Sequence, residues 1–120
     1  FNQLLPLVEA RIAEGTLTVV DATNADWMRR SELIVRAREH ARLALAIVFA
    51  IPVEDSIAHN RARESPVPAA TIRRHAAAIE RDLDRLDLEG FATVWVFRTS
   101  DQAATAQVQI KKGPEIRAPR

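Results

Sequence analysis

The sequence contains no cysteine in its 120 residues. Disulfide bonds and thiolate metal sites are therefore excluded, and a reducing cytoplasm is the simplest expectation for its compartment. No apolar stretch approaches the ~18 residues that a membrane-spanning helix needs, and no secretory signal is visible. We therefore expect no membrane partner. The net charge of +1 gives no global field that would favour a nucleic acid or a membrane surface.

Several catalytic patterns are missing as well. His40, His59 and His75 are scattered without the spacing of metal ligands, and we predict that none of them binds a metal. No Gly-x-Ser-x-Gly or Cys/His arrangement supports nucleophilic catalysis. What is present is a hydrophobic content of 48% and a charged content of 28%, which predict one soluble globular domain with a real core.

Apolar stripes at helical spacing recur along the chain. The first ends at Gly15, a residue that suits a helix C-terminus. The second leaves Arg29 and Arg30 mostly off its stripe, and the fourth begins after Pro68, which suits a first helical turn. A weaker helical patch covers residues 101–104. The four stripes predict helices over about 4–12, 33–41, 54–61 and 68–86.

Strand-like segments alternate with these helices. Residues 16–20 and 92–98 are rich in β-forming residues, and 106–110 reads as an edge strand. Residues 44–52 form an uninterrupted apolar run, which is typical of a strand buried on both faces of a parallel sheet. The alternation predicts an α/β protein with a mostly parallel sheet, whose ligands bind at the carboxyl ends of the strands.

The segment Asp-Ala-Thr-Asn lies at such a strand end. Asp21 could hold Mg²⁺, directly or through water, or orient a nucleophile. Thr23 and Asn24 offer neutral donors to phosphate or ribose oxygens. The alternative is that Asp21 or Asn24 simply caps the next helix.

Arginines form a second set of candidate residues. Arg61 and Arg63 precede a proline-broken loop, where guanidinium groups can close over a polyphosphate. The alternative is that they are solvated arginines favoured by the helix dipole. The long helix carries further arginines that alternate with acidic residues and predict a solvated, salt-bridged surface, with its first two arginines as the exceptions. These residues are Arg73, Arg74, Arg81 and Arg85, with Glu80, Asp82, Asp84 and Asp87.

Trp27 and Trp95 could stack on nucleic-acid bases. Packing inside the protein is the preferred interpretation for both, and the strand position of Trp95 strengthens it.

Three segments together resemble a known family. They are "TVVDATN" followed by an arginine pair, "AIVFAIPVEDSIAHNRARES", and "VPAATIRRHAAAIERDLDRLDLEGFATVWVF". Their order and spacing resemble the P-loop kinase domain of polynucleotide 5′-hydroxyl kinases, especially the bacterial polynucleotide kinase–phosphatase type. The resemblance covers about residues 1–98, includes a lid at about 61–68, and leaves 99–120 as an extension with a partly disordered tail. It implies a doubly wound sheet of the P-loop kinase type.

The resemblance also implies roles for individual residues. Asp21, Thr23 and Asn24 would lie beside the phosphoacceptor and the metal, with Asp21 acting on the metal through water. Arg63 and Arg61 would be lid arginines over the triphosphate, and Arg73 would flank the nucleotide or the lid. The implied cofactors are ATP and Mg²⁺. The implied partners are the 5′ end of a nucleic acid or a small-molecule acceptor, and further domains of a longer parent chain.

One departure from the family is large. Such kinases need Gly-x-x-x-x-Gly-Lys-Ser/Thr to cradle phosphates, and the three glycines, Gly15, Gly90 and Gly113, form no such motif. The family's general-base aspartate is absent too. We expect both to lie upstream of Phe1, so that the central P-loop strand is missing, the sheet is incomplete, and the chain alone is inactive and poorly stable. Two alternatives stay open: a small-molecule kinase of the same fold, and a degenerate domain that acts as a binding module.

Overall fold

A computed structural model describes residues 2–109 of the chain. Its helices and strands are mixed, as predicted for an α/β protein. In chain order they are α1 (Leu4–Ala13), α2 (Trp27–Glu39), β1 (Leu45–Phe49), α3 (Val53–Arg61), α4 (Ala69–Asp82), a 3₁₀ helix (Leu83–Leu88), β2 (Thr93–Phe97) and α5 (Ser100–Thr105).

Helix α1 ends as the sequence predicts. The amide of Gly15 donates to the carbonyl of Ile12 at 3.0 Å, and Gly15 has a φ of +77°. This positive φ favours glycine; a Cβ there would lie 2.8 Å from Nη2 of Arg42, which is the end of a flexible side chain. Val8 is the buried residue of the helix.

Helix α2 has a cap that the sequence analysis did not predict. The carboxylate of Asp26 accepts a hydrogen bond from the amide of Met28 at 3.0 Å, the geometry of an N-cap. The alternative that Asp21 or Asn24 caps this helix is therefore wrong. Ile34 and Ala37 are buried and confirm the apolar stripe.

Strands β1 and β2 pair in parallel, with Ile47 opposite Trp95. This pairing confirms the predicted parallel arrangement, with α3 and α4 in the connection between the strands, although the sheet has two strands within residues 2–109. The doubly wound arrangement, the incomplete sheet and the boundary near residue 98 stay predictions.

The apolar face of β1 is open. Leu45, Ile47 and Phe49 expose 50%, 52% and 56% of their surface, so the prediction of a strand buried on both faces is wrong. Trp95 is 46% exposed, and its predicted core position is wrong as well. An uninterrupted apolar run makes a strand, but nothing in residues 2–109 covers this face.

Two other predicted strands do not form. Residues 16–20 have no strand partner within the described part of the chain, and local contacts hold them instead. The amide of Thr16 donates to the carbonyl of Arg11 at 3.1 Å, and the hydroxyl of Thr18 donates to the carbonyl of Thr16 at 2.9 Å. Residues 106–109 contain no strand. Residue 110 and the predicted disordered tail lie outside the described residues.

Helix α4 begins after Pro68, as predicted, and ends at Asp82, earlier than its apolar stripe suggests. The stripe continues into the 3₁₀ helix, where Leu86 is buried. The buried apolar residues come from several helices, and they are Val8, Ile34, Ala37, Ile57 and Leu86. In the range 2–109, no helix combines the length and apolar character that crossing a bilayer requires.

Candidate functional site

The loop between residues 20 and 27 has a fixed backbone. Asn24 adopts a φ of +49°, a left-handed conformation that asparagine tolerates better than most residues. Its side-chain amide donates to the carbonyl of Val20 at 3.3 Å. Nη1 of Arg30 donates to the carbonyl of Asn24 at 2.9 Å. The loop is therefore held by its own asparagine and by α2.

Arg30 is the centre of a buried ionic cluster. Its Nε and Nη2 donate to the two carboxylate oxygens of Glu89 at 2.9 and 2.7 Å, and Nη2 also donates to Oδ2 of Asp82 at 2.9 Å. Arg30 and Asp82 are each only 7% exposed. The predictions that Arg30 lies off the buried stripe of α2 and that Asp82 belongs to a solvated surface are wrong. We call Arg30, Asp82 and Glu89 the ionic cluster.

The hydrogen bonds of the ionic cluster shift two pKa values. The bonds to Glu89 raise the pKa of Arg30 above its ordinary value, with Asp82 adding to the rise and burial opposing it. The bond from Arg30 lowers the pKa of Asp82, against the effect of burial, and Arg81 contributes through its Nε, 3.2 Å from Oδ1. Both shifts favour the charged forms of Arg30 and Asp82, so the contact between these two residues is an ion pair.

The sequence contained a signal for this arrangement. Arg30 lies four residues before Ile34 and seven before Ala37, on the same face of α2 as these buried residues. The acidic partners were not visible from the sequence, because they are 52 and 59 residues away.

A cavity of about 610 Å³ lies between the loop and α4. Thr23 and Asn24, two of the predicted site residues, line it, whereas Asp21 is exposed and lies outside the lining. The lining residues include three arginines and one acidic residue, Asp26. The lining comprises Leu4, Ala22, Thr23, Asn24, Ala25, Asp26, Trp27, Arg29, Arg74, His75, Ala78 and Arg81.

The predicted lid has a fixed base and an exposed body. Asn60 is 8% exposed, and its side chain bonds both backbone groups of Val67: Nδ2 donates to the carbonyl at 2.7 Å, and the amide donates to Oδ1 at 3.0 Å. Residues 61–70 are all exposed. Arg61 and Arg63 make no ion pair with any carboxylate among residues 2–109 and lie outside the cavity lining.

The two adjacent arginines at the start of α4, Arg73 and Arg74, lie in different surroundings. Nη1 of Arg73 lies 2.8 Å from Oε1 of Glu54 in an exposed ion pair with α3, outside the cavity lining. Arg74 lines the cavity beside Thr23 and Asn24. The structure therefore brings Arg74 together with Thr23 and Asn24 and leaves Arg73 on the α3 side.

Comparison with known proteins gives the family. Residues 1–86 match the family model described as an AAA domain. The chain belongs to the AAA domain family. The match identifies a nucleotide-binding, P-loop kinase-like domain, which agrees with the parallel β1–β2 pairing. No curated protein matches the chain.

An AAA domain binds a nucleotide with Mg²⁺ in general, and the residues of this chain fit only part of that task. The phosphate-cradling motif, Gly-x-x-x-x-Gly-Lys-Ser/Thr, does not occur in the 120 residues. Residues 2–109 contain no group of three or more side chains arranged to hold a metal ion. The polar groups that are present suit an anionic ligand at the cavity, and the role of Asp21 toward a hydrated metal stays a prediction.

Proposed function

We propose that this AAA domain forms the acceptor and lid side of a phosphoryl-transfer site in an ATP-dependent kinase. The proposed acceptor is the 5′-hydroxyl end of RNA or DNA. One observation carries the proposal: the loop that bears Thr23 and Asn24 opens onto a cavity with Arg74, and the buried Arg30 holds that loop in place. The family and the resemblance to polynucleotide kinases support the chemistry.

The acceptor side has the following roles in this proposal. Thr23 and Asn24 position the acceptor end at the cavity by hydrogen bonding. Asp21, exposed at the start of the same loop, contacts a magnesium ion through water. Holding the acceptor in one orientation is a large part of catalysis in phosphoryl transfer, because the protein contributes little covalent chemistry.

The lid side supplies positive charge. Arg63, with Arg61, closes over the triphosphate and neutralises charge that develops on the transferred phosphoryl group, and Arg73 flanks the nucleotide. The bonds between Asn60 and Val67 fix the base of the lid, and residues 61–66 between them are exposed. Arg61 and Arg63 are exposed and available for this contact.

A small-molecule acceptor is the second candidate. The cavity of about 610 Å³ lies within the range of ~300–1,000 Å³ that is usual for small-molecule sites. The net charge of +1 also favours it, since a nucleic-acid groove is usually strongly basic.

The test uses the gene product that contains these residues, with Arg63→Ala as the variant. We expect phosphoryl transfer from ATP to a 5′-hydroxyl oligonucleotide to fall by about 10³-fold or more, the range seen for such arginines. The thermal unfolding temperature should not change, because Arg63 is exposed.

The matched control is Arg85→Ala, which removes another exposed arginine, on the 3₁₀ helix and outside the cavity lining. This variant should retain transfer. Unchanged transfer in Arg63→Ala would reject the lid role. Transfer to a small alcohol but to no oligonucleotide would favour the second candidate.

A further inference from the structure

We propose that the cavity binds single-stranded nucleic acid, with a base stacked on Trp27 and backbone phosphates on Arg74 and Arg81. This inference rests on the nucleic-acid acceptor proposed above and names the strand-binding subsite. It assigns a function to Trp27, Arg74 and Arg81, to which the resemblance gives no role.

Trp27 supplies the stacking surface. It is 59% exposed and lines the cavity, so the sequence-based interpretation of Trp27 as a packed residue is wrong. It is the first residue of α2, directly after the Asp26 cap, and the capping bond to Met28 fixes the backbone that carries it. An exposed aromatic ring beside cationic side chains is the usual means of binding single strands without regard to sequence.

Two arginines of α4 supply positive charge to the cavity lining. Arg74, Ala78 and Arg81 share one helix face, at separations of four and three residues. Arg74 and Arg81 are ~10 Å apart along the axis, from a rise of ~1.5 Å per residue. The small Ala78 leaves space between them. A single phosphate reaches one of these arginines, whereas a strand with successive phosphates reaches both.

The two arginines differ in their surroundings. Arg74 has no carboxylate within ion-pair distance in the part of the chain that the structure describes. Nε of Arg81 contacts Oδ1 of Asp82 at 3.2 Å, while the Arg81 side chain stays 66% exposed. The Nη atoms of both arginines are therefore available to phosphates, and Arg74 has no carboxylate among residues 2–109 that competes for it.

The first experiment measures binding of a fluorescently labelled, single-stranded 5′-hydroxyl oligothymidylate to the full chain by anisotropy. Trp27→Ala should weaken binding by about 5- to 150-fold, the range for losing one stacked base. The matched control is Trp95→Ala, because Trp95 is also about half exposed but lies on the sheet, outside the cavity lining. Equal losses in the two variants, or none in Trp27→Ala, would overturn the proposal.

The second experiment repeats the titration between about 50 and 200 mM salt. Each lost phosphate contact should reduce the slope of log K against log salt by about 0.7 for a single strand. Arg74→Ala should therefore reduce the slope by about 0.7, and the double variant Arg74→Ala with Arg81→Ala should reduce it by about twice that amount. Arg81→Lys should retain the slope, because it keeps the positive charge beside Asp82; this control separates the loss of a phosphate contact from a disturbed ionic cluster. Arg85→Ala should also leave the slope unchanged. A slope that does not respond to Arg74→Ala would overturn the phosphate contact.

The subsite and the proposed kinase activity can fail separately. Loss of strand binding in Trp27→Ala and Arg74→Ala, in a gene product that transfers no phosphoryl group, would retain the subsite and reject the kinase. Transfer to a 5′-hydroxyl oligonucleotide with an unchanged KM in both variants would retain the kinase and reject the subsite.

Discussion

Two regions of this AAA domain reverse the usual distribution of polar and apolar groups. Around Arg30 the molecule buries charge: Arg30 and Asp82 are each 7% exposed. On the β1–β2 sheet it exposes apolar surface, with Ile47 52% and Phe49 56% exposed. The ionic cluster on the helical side therefore orders the candidate site, and the sheet contributes an open face.

The two regions differ because charge-assisted hydrogen bonds require a defined direction, whereas apolar contacts do not. A guanidinium bonded to two carboxylates and a carbonyl accepts few alternative arrangements, because each misplaced bond leaves a buried charge unsatisfied. The apolar contacts of the sheet are less selective. Phe49 and Phe97 stack with ring centroids 5.7 Å apart, but water still reaches the face. The cluster therefore fixes the loop through the bond from Arg30 to the carbonyl of Asn24, while the sheet leaves an apolar face open. Exposed apolar faces of this kind favour self-association in general.

The largest expected effect is that of Arg30→Ala. Removing the arginine leaves Asp82 and Glu89 without their buried partner, so the free energy of unfolding should fall by about 3–5 kcal/mol. Urea denaturation followed by circular dichroism measures the change, and loss of the cooperative transition would be the same effect in a marginally stable chain.

The matched control for this prediction is Arg98→Ala. Arg98 pairs with Glu80 at 2.9 Å, but both side chains are more than half exposed, so its loss should change stability by less than about 1 kcal/mol. Equal losses of stability in the two variants would mean that the ionic cluster contributes no more than a surface ion pair.

An intermediate effect is expected from pH. The hydrogen bond from Arg30 lowers the pKa of Asp82, so folding favours its charged form. The resulting stability is fully present above the ordinary carboxyl pKa of about 3.9 and is lost as the pH falls further, through the lower pKa of the folded state. Urea midpoints should therefore fall below about pH 4.

Asp82→Asn should flatten this dependence, because the substituted side chain does not titrate. Asp84→Asn, at an exposed position of the 3₁₀ helix, should retain the wild-type dependence. A midpoint in Asp82→Asn that falls with acid as steeply as in the wild type would place the pH sensitivity elsewhere.

Much of the helical fold is predictable from the sequence, and the reason is local. The apolar stripes of α1, α2 and α4 repeat at the helical period, and Gly15 and Pro68 mark helix ends through their own backbone preferences. Strands depend on partners instead. Residues 16–20 have the composition of a strand but no partner among the described residues, and residues 44–52 do not reveal what covers their faces.

The candidate site also contains residues that the local sequence predicts and residues that it does not. Thr23 and Asn24 were recognisable because they follow an apolar run, and the cavity brings them together with Arg74. The partners of Arg30 were not recognisable, because they come from the far end of α4 and the turn after the 3₁₀ helix. Burial of a charged side chain depends on contacts made by the whole fold, which no local pattern contains.

The smallest expected effect belongs to the sheet, and Ile47→Thr tests it. Since Ile47 is half exposed, the free energy of unfolding should change by less than about 0.5 kcal/mol, while self-association, measured by sedimentation, should decrease. The same substitution at Ile57, which is 4% exposed on α3, should lower the free energy of unfolding by about 1–3 kcal/mol, because a hydroxyl is buried in place of a packed ethyl group. Equal losses at the two positions would mean that the sheet face is covered in solution. The contrast between a buried ionic side and an open apolar side would then no longer hold.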